Sequence, residues 1–124
     1  MNKPGRRGLP RIIDAGRYTL RGLRAAWTHE EGFRTECLLL LVLTPAAAWL
    51  ASDALQFVLL VGCCLLVIVT ELLNSAIEAV VDRVGLDPHP LSGQAKDLGS
   101  AAVFVSLMLV LLVWGGIAAQ RFWA

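Results

Sequence analysis

Four polar side chains follow one another at intervals of three or four residues in the stretch ELLNSAIEAVVDR. They are Glu71, Asn74, Glu78 and Asp82, with Ser75 between them. A helix turns by about 100° per residue, so on a helical wheel the other four side chains lie within about 60° of Glu71. The spacing predicts one polar stripe that carries three carboxylates, an amide and a hydroxyl.

Carboxylates and an amide on one helix face suit a hard cation such as Mg²⁺ bound together with phosphate groups. Mg²⁺ prefers oxygen ligands and usually takes one or two carboxylates plus phosphate oxygens and water. Phosphoryl transfer also needs positive charge near the phosphates and a base for the attacking hydroxyl. The carboxylates and Lys96 supply groups of both kinds. Proton-coupled transporters also use buried acids, and Asp82 alone is equally well explained as a solvated acid.

The motifs of soluble nucleotide-dependent kinases are absent from the sequence. There is no GxxxxGK[ST] loop, no GxGxxG and no HRD or DFG triplet. His29 and His89 lack the spacing of metal ligands. The cysteines (Cys37, Cys63 and Cys64) lie inside apolar runs, as small buried hydrophobic residues do. We expect no disulfide framework, no cysteine metal site and no nucleic-acid partner.

Long apolar segments flank the polar stripe and predict an all-α membrane protein. The chain has 124 residues, 56% hydrophobic and 17% charged, which is room for a single membrane domain. Residues 54–70 carry no charge and run into the stripe without a turn signal, so we predict one span over 54–83. Because a bilayer requires about 20 residues of apolar helix, two further spans are predicted at about 30–51 and 93–121. Ser92 is predicted to cap the last of them.

A further helix is predicted at about 8–27. Its apolar residues lie within about 60° of Leu9 on the wheel, and its arginines lie in other directions. Such a pattern is typical of an amphipathic helix on a membrane surface with anionic headgroups, although a helix packed on a soluble partner shows a similar stripe. The apolar face of this predicted helix consists of Leu9, Ile12, Ile13, Gly16, Leu20, Leu23 and Trp27.

The distribution of basic residues predicts the orientation in the membrane. Seven of the eleven lysines and arginines precede Trp27, and short flanks rich in these residues stay in the cytoplasm. The connection at Ser52 and Asp53 has no basic residue, whereas the next connection holds Arg83 and Lys96. The N-terminus is therefore predicted inside and the C-terminus outside. This topology brings together, at the cytoplasmic leaflet, Glu30, Glu71, Glu78, Lys96 and Asp97.

The stretch ELLNSAIEAVVDR, followed by LSGQAKDLGSAAV, resembles the signature of the bacterial integral-membrane diacylglycerol kinases. The similarity continues in RII, in GLRAAW and in the spacing of Glu30, Phe33, Arg34 and Glu36, and it covers nearly the whole chain from Arg11. It implies a homotrimer in the inner membrane, with three transmembrane helices and one amphipathic surface helix per subunit. The implied reaction transfers the γ-phosphate of Mg-ATP to the hydroxyl of 1,2-diacylglycerol and gives phosphatidic acid. The implied active sites form between subunits on the cytoplasmic side.

The resemblance also implies roles for individual residues. Glu71 corresponds to the general base on the lipid hydroxyl, and Glu30 and Glu78 to the carboxylates that bind the metal ion accompanying ATP. Lys96 and Asp97 correspond to a nucleotide-binding pair. The other implied contacts to ATP are Arg11, Tyr18, Asp87, Pro88 and His89. The implied contacts to the lipid substrate are Arg11, Arg24, Ala25, Ala26, Trp27, Arg34, Thr35, Glu36, Glu71, Asn74 and Ser100.

Two other functions stay open at the level of the sequence. A kinase for undecaprenol, a polyprenol, would use the same catalytic residues, because both lipids present a hydroxyl at the interface. The complete N-terminal helix and GLRAAW favour diacylglycerol. A small proton-coupled transporter or an assembly subunit would also account for Glu71. However, transport needs polar access from both sides, and Asp53 is the sole ionisable residue near the outer face before Arg121.

Overall fold

The computed structural model describes residues 7–123, which form helices joined by short connections. This confirms the all-helical fold predicted from the sequence. Two of the basic residues used for the orientation, Lys3 and Arg6, lie outside the described residues. The helices are α1 (Leu9–His29), α2 (Glu31–Leu50), α3 (Ala54–Val84) and α4 (Pro90–Trp123).

The first three helices begin or end at residues that stop regular helical hydrogen bonding. Gly8, with a φ of 72°, precedes α1, and Pro10 lies in the first turn, where its missing N–H leaves no bond unmade. Glu30 has an extended backbone (φ −116°, ψ 106°) and separates α1 from α2. Asp53 caps α3, because its Oδ1 atom accepts a hydrogen bond of 2.8 Å from the N–H of Gln56.

Helix α4 is capped by a histidine. The Nδ1 atom of His89 accepts a hydrogen bond of 3.0 Å from the N–H of Leu91, and its carbonyl accepts one of 3.0 Å from the N–H of Gly93. Ser92 therefore lies inside the first turn, and the prediction that it caps the helix is wrong. The imidazole directly before Pro90 already satisfies the first free N–H, so no hydroxyl is needed there.

Helix α3 is continuous over 31 residues. After Gly62 the chain contains neither glycine nor proline before Gly85, so nothing interrupts the helical hydrogen bonds. The prediction that the apolar run and the polar stripe form one helix is confirmed.

Three of the helices, α2, α3 and α4, are long and apolar enough to cross a membrane. Much of their apolar surface is uncovered: Leu41 on α2 is 72% exposed and Leu112 on α4 is 71% exposed. Extended apolar surface is unfavourable in water but not against lipid chains. These helices are therefore those of a membrane protein, as the sequence predicts.

The small buried core lies away from the polar stripe, where α2 ends, α3 begins and α4 ends. Leu60 is fully buried there, and Nε1 of Trp114 donates a hydrogen bond of 3.2 Å to its carbonyl. The guanidinium of Arg121 donates hydrogen bonds of 2.8 and 3.1 Å to the carbonyls of Trp49 and Leu50. These contacts hold α4 against α2 and α3 and leave the opposite end to polar side chains. The core cluster consists of Ala47, Leu50, Leu60 and Ile117.

Candidate active site

The polar stripe of α3 meets the first turns of α2 and α4 at one end of the bundle. Contacts between α3 and α4 pair early residues of one helix with late residues of the other, so the two run antiparallel. The second half of α3 therefore lies beside the N-terminal half of α4, and Glu71 also reaches the start of α2. We refer to residues 30–36, 71–89 and 96–100 together as the polar end.

Glu71 is half-buried and lies against α2. A Cβ atom added to Gly32 would come within 2.8 Å of the Oε1 atom of Glu71, so the carboxylate packs on bare backbone. The carboxyl groups of Glu71 and Glu36 lie close enough to interact electrostatically. The Oε2 atom of Glu36 is buried and has no hydrogen-bond partner among residues 7–123. Two carboxyl groups at such close range attract a positive charge that is brought between them.

Asn74 lies one turn further along the stripe and faces α4. Its Nδ2 atom donates a hydrogen bond of 3.3 Å to Oε1 of Glu78. Its Oδ1 atom lies directly against Gly99, is buried, and has no hydrogen-bond partner in the described part of the chain. Leaving a buried amide oxygen unpaired is unfavourable by about 1–3 kcal/mol. A ligand, ion or water that reached this oxygen would therefore gain a favourable contact.

Lys96 and Asp82 form an ion pair at the outer end of the stripe. The Nζ atom of Lys96 lies 2.8 Å from Oδ1 of Asp82, and the two side chains are 45% and 49% exposed. Glu78 is also close enough to interact electrostatically with Lys96. An exposed ion pair of this kind contributes little to stability. Lys96 can therefore leave Asp82 for another anion at a small energetic cost.

Arg34 connects α2 to the end of α1. Its guanidinium donates hydrogen bonds of 2.6 Å to the carbonyl of Trp27 and 3.3 Å to the carbonyl of Thr28. Carbonyls in the last turn of a helix lack intrahelical partners, so Arg34 satisfies them. The lipid contact that the resemblance implies for Arg34 stays a prediction.

A cleft of about 640 Å³ opens between α1 and α3 beside the polar end. Its wall is mainly apolar, with polar groups from Thr19, His29, Glu30 and Ser75. A largely apolar cleft with a few polar groups suits an amphipathic ligand. The remaining lining residues are Gly22, Leu23, Ala25, Ala26, Leu72, Ala76 and Ala79.

A second cleft, of about 310 Å³, lies at the connection between α3 and α4. Its lining includes Asp82, Lys96 and the loop residues Asp87, Pro88 and His89. The predicted nucleotide-binding loop and the predicted phosphate-facing lysine therefore share one cleft. A lysine ammonium at its wall is suited to phosphate oxygens.

Several predicted residues do not reach these two clefts. Arg11 lies near the start of α1, and at about 1.5 Å per residue it is roughly 27 Å along the helix axis from His29. Within one chain, Arg11 therefore does not join the polar end. The ring of Tyr18 contacts the guanidinium of Arg21, which is 6.0 Å from its centroid. Other predicted contacts that line neither cleft have exposed side chains: Arg24, Trp27, Thr35, Asp97 and Ser100.

In residues 7–123, no group of three or more His, Cys, Asp or Glu side chains is arranged as a ready-made metal site. Mg²⁺ that accompanies a nucleotide needs no such group, because phosphates and water supply most of its ligands. Glu30 and Glu78 offer carboxylate oxygens. This donor chemistry fits Mg²⁺.

The model of the prokaryotic diacylglycerol kinase family matches residues 17–118. The chain belongs to this family. The match runs from the middle of α1 into the last turns of α4 and contains the whole polar end. The resemblance drawn from the ELLNSAIEAVVDR stretch is confirmed.

Several relatives named diacylglycerol kinase align with most of the length of this chain. The diacylglycerol kinase of Haemophilus influenzae is 47% identical over 110 residues, which are 89% of this chain and 93% of the relative. That of Escherichia coli K12 is 50% identical over 107 residues, 86% of this chain and 88% of the relative. That of Pseudomonas aeruginosa is 49% identical over 113 residues, 91% and 92% of the two chains.

Two glycines that pack against the polar stripe of α3 were not predicted from the sequence. Gly32 faces Glu71 and Gly99 faces Asn74. A glycine inside a helix is unfavourable by about 1 kcal/mol relative to alanine, which is a signal that close packing requires it. The contact of 3.0 Å between the hydroxyls of Thr70 and Ser106 was not predicted either. The sequence feature that indicated it is a single serine, Ser106, within a long apolar run.

Proposed function

We propose that the chain transfers the γ-phosphate of Mg-ATP to the hydroxyl of 1,2-diacylglycerol and forms phosphatidic acid. Membership of the prokaryotic diacylglycerol kinase family supports this reaction. The observation that carries the proposal is the placement of Glu71, a half-buried carboxylate directly after the apolar run of α3. This is the level at which a bilayer lipid presents its glycerol group.

In the proposed reaction, Glu71 is the general base. The lipid hydroxyl oxygen forms a bond to the γ-phosphorus and passes its proton to a carboxylate oxygen of Glu71. The bond between the γ-phosphorus and the bridging oxygen breaks, and ADP leaves with that electron pair. A correctly placed base of this kind contributes about 10² to 10⁴-fold to the rate.

Glu30 and Glu78 are the proposed ligands of the Mg²⁺ that accompanies ATP. When bound, the ion neutralises charge on the phosphates. Asn74 donates to Glu78 and so fixes the direction of that carboxylate. Asn74 is itself a proposed contact to the lipid substrate.

Lys96 is the proposed phosphate-binding cation. Its ion pair with Asp82 is half-exposed and stands at the wall of the cleft formed with the Asp87–His89 loop. Exchanging a single carboxylate for a polyphosphate brings more negative charge to the ammonium, so the exchange is favourable. Asp97, Arg11 and Tyr18 are the other proposed nucleotide contacts.

The cleft between α1 and α3 is the proposed entrance for the lipid. Its apolar wall suits the acyl chains, and Ser75 and Glu30 lie where polar groups of the glycerol would be received. Ala25 and Ala26, two of the predicted lipid contacts, line this cleft. The lipid side of the site also includes Arg24, Trp27, Arg34, Thr35, Glu36 and Ser100.

A homotrimer with sites between subunits is the proposed assembly. Arg11 lies roughly 27 Å along α1 from the polar end of its own chain, so a nucleotide contact requires the polar end of another copy. The proposed place of α1 is on the membrane surface, since its apolar side chains are uncovered. Leu9 is 68% exposed, Ile12 67% and Leu20 66%.

The proposed location is the bacterial inner membrane, with the N-terminus and the active site in the cytoplasm. The excess of arginines on α1 supports this orientation. ATP is a cytoplasmic metabolite, so a polar end on that side reaches its nucleotide directly.

The experiment that tests the proposal uses the purified chain in lipid-containing micelles. Transfer of labelled phosphate from Mg-ATP is measured with 1,2-diacylglycerol, with undecaprenol and with no added lipid. We expect rapid labelling of phosphatidic acid that stops when a chelator removes Mg²⁺. Transfer to undecaprenol alone would keep the site but contradict the proposed substrate. No transfer to either lipid by a folded protein would overturn the proposal.

A further inference from the structure

Between the core and the polar end, a line of polar or close contacts joins α3 to α4, and we call it the α3–α4 seam. From the core to the polar end, the contacts are Trp114 on the carbonyl of Leu60, Ser106 on Thr70, Gly99 on Asn74, and Lys96 on Asp82. Between the apolar core and the polar end, the contact of Thr70 with Ser106 is the one made by two side-chain hydroxyls. It lies one turn from Asn74 along α3.

The geometry of this pair permits a hydrogen bond across the seam. Oγ1 of Thr70 lies 2.8 Å from the carbonyl of Val67, and Oγ of Ser106 lies 2.6 Å from the carbonyl of Val103. The two hydroxyl oxygens are 3.0 Å apart. Two hydroxyls carry two protons for these three contacts. At least one contact therefore lacks a proton at any moment, and a bond across the seam forms when one hydroxyl donates to the other while the second donates to its own helix.

The surroundings leave the pair few alternatives. Ser106 is 3% exposed and stands in an apolar run. Within a bilayer no water replaces a broken hydrogen bond, so a polar side chain holds its partner across the helix interface. Neither hydroxyl touches the clefts at the polar end. The proposed chemistry does not itself require polar residues at these two positions.

The pair fixes which residue of α4 faces Asn74. Thr70 and Asn74 are four residues apart on α3, and Ser106 and Gly99 are seven apart on α4, so each pair of residues shares one helix face. A shift of one residue along α4 would place Leu98 or Ser100 opposite Asn74 in place of Gly99. Only Gly99 leaves room for the amide, because a Cβ atom there would collide with Oδ1.

We propose that Thr70 and Ser106 are positioning residues of the active site. Their hydrogen bond sets the register that seats Asn74 on Gly99, and through Asn74 it sets the direction of Glu78. Glu71, the neighbour of Thr70 in the chain, is held in the same turn. The catalytic part of this inference rests on the proposed function, whereas the seating of Asn74 does not.

The kinetic test compares Thr70→Val, Ser106→Ala and the double variant with the wild type in micelles. Each single variant is expected to lower kcat about threefold to tenfold and to raise KM for Mg-ATP, because Glu78, whose direction the pair sets through Asn74, is a proposed ligand of the Mg²⁺ that accompanies ATP. The kcat of the double variant is expected to equal that of the less active single variant, because both substitutions remove the same hydrogen bond. Thr70→Ser keeps a hydroxyl, and its kcat is expected to equal that of the wild type.

The matched control is Thr44→Val. Thr44 also lies in an apolar helix, but among residues 7–123 its hydroxyl donates only to the carbonyl of Leu40 in the same helix, at 2.7 Å. Its kcat is expected to equal that of the wild type. Equal losses in the control, losses that add in the double variant, or a wild-type kcat in Ser106→Ala would each overturn the inference.

A second readout does not depend on activity. The chain contains two asparagines, Asn2 and Asn74, so selective ¹⁵N-asparagine labelling gives two side-chain amide signals. Asn2→Ser identifies the signal of Asn74. We expect that signal to shift in Ser106→Ala and Thr70→Val and to stay in place in Thr44→Val. An unmoved Asn74 signal in both seam variants would overturn the inference, even if the wild type forms phosphatidic acid. A moved signal in a protein without kinase activity would contradict the proposed function and support the positioning role.

Discussion

The carboxylate of Glu71 packs on the backbone of Gly32 across the interface between α2 and α3, where a methyl group would come within 2.8 Å of Oε1. A proposed catalytic oxygen therefore borders a residue that has no side chain. The space in front of the carboxylate is set by α2 as well as by α3. Substitutions at Gly32 should act on the reaction through the direction of Glu71.

Gly32→Ala is expected to lower kcat about tenfold with little effect on stability. The carboxylate is at the end of a flexible side chain, so it rotates away from the new methyl group at small cost, but it then lies off the line of the proton transfer. Gly62→Ala is the matched control, because a Cβ built on Gly62 would meet no described atom within 4 Å apart from its chain neighbours and the backbone of its own helix. Kinetics and thermal unfolding of both variants give the comparison. A normal kcat in Gly32→Ala would mean that the direction of Glu71 is unimportant.

Glu71→Gln is expected to lower kcat by about 10² to 10⁴-fold, since the amide keeps the shape of the side chain but cannot take up the proton. Glu31→Gln changes an exposed glutamate of α2 and serves as the control for the loss of one negative charge. Turnover by the folded Glu71→Gln protein at a near-normal rate would remove Glu71 from the role of base.

Glu78→Ala is expected to weaken the use of Mg-ATP, because it removes a proposed ligand of the ion and the acceptor of the Asn74 amide. The activity should recover in part when the Mg²⁺ concentration is raised, as mass action compensates for a weaker site. Titration of activity against Mg²⁺ measures this, with Glu31→Ala as the control. A Mg²⁺ dependence equal to that of the wild type would contradict the assignment.

Arg121→Met is expected to lower the free energy of unfolding by about 1 kcal/mol while leaving kcat of the folded enzyme unchanged. The guanidinium donates to the last carbonyls of α2 and lies 4.8 Å from the Trp49 ring centroid, at the end remote from the stripe. Arg121→Lys keeps the charge at the helix end and should lose less. Thermal unfolding in micelles measures both variants; a selective loss of kcat would show that this end communicates with the site.

The parts of the site that were predictable from the sequence are those that depend on one helix. The stripe from Glu71 to Asp82 follows from the helical period alone, and its continuity with the apolar run follows from the lack of glycine and proline after Gly62. Gly32 and Gly99 were not predictable in the same way. Their importance depends on which residue of a neighbouring helix lies opposite, and the period of a single helix does not determine that.

The hydrogen-bond partners of individual polar residues were also not predictable from the sequence. The hydrogen bonds of Arg34 to carbonyls at the end of α1 were not predicted, and its implied lipid contact stays a prediction. The prediction of Ser92 as a cap is wrong, because His89 accepts from the free N–H at the start of α4. Both outcomes depend on the exact path of the connections, for which glycines and prolines give only approximate positions.

The 31 residues of α3 make a helix about 46 Å long, whereas the hydrocarbon layer of a bilayer is about 30 Å thick. An untilted α3 is about ten residues longer than that layer requires, and the polar stripe lies in the half of α3 that follows the apolar run. A lipid substrate therefore keeps its acyl chains in oil while its headgroup reacts, and avoids an extraction that would cost about 0.8 kcal/mol for every methylene group. In the proposed reaction, the length of α3 therefore lets the water-soluble nucleotide and the membrane-embedded lipid react at the boundary between the two phases.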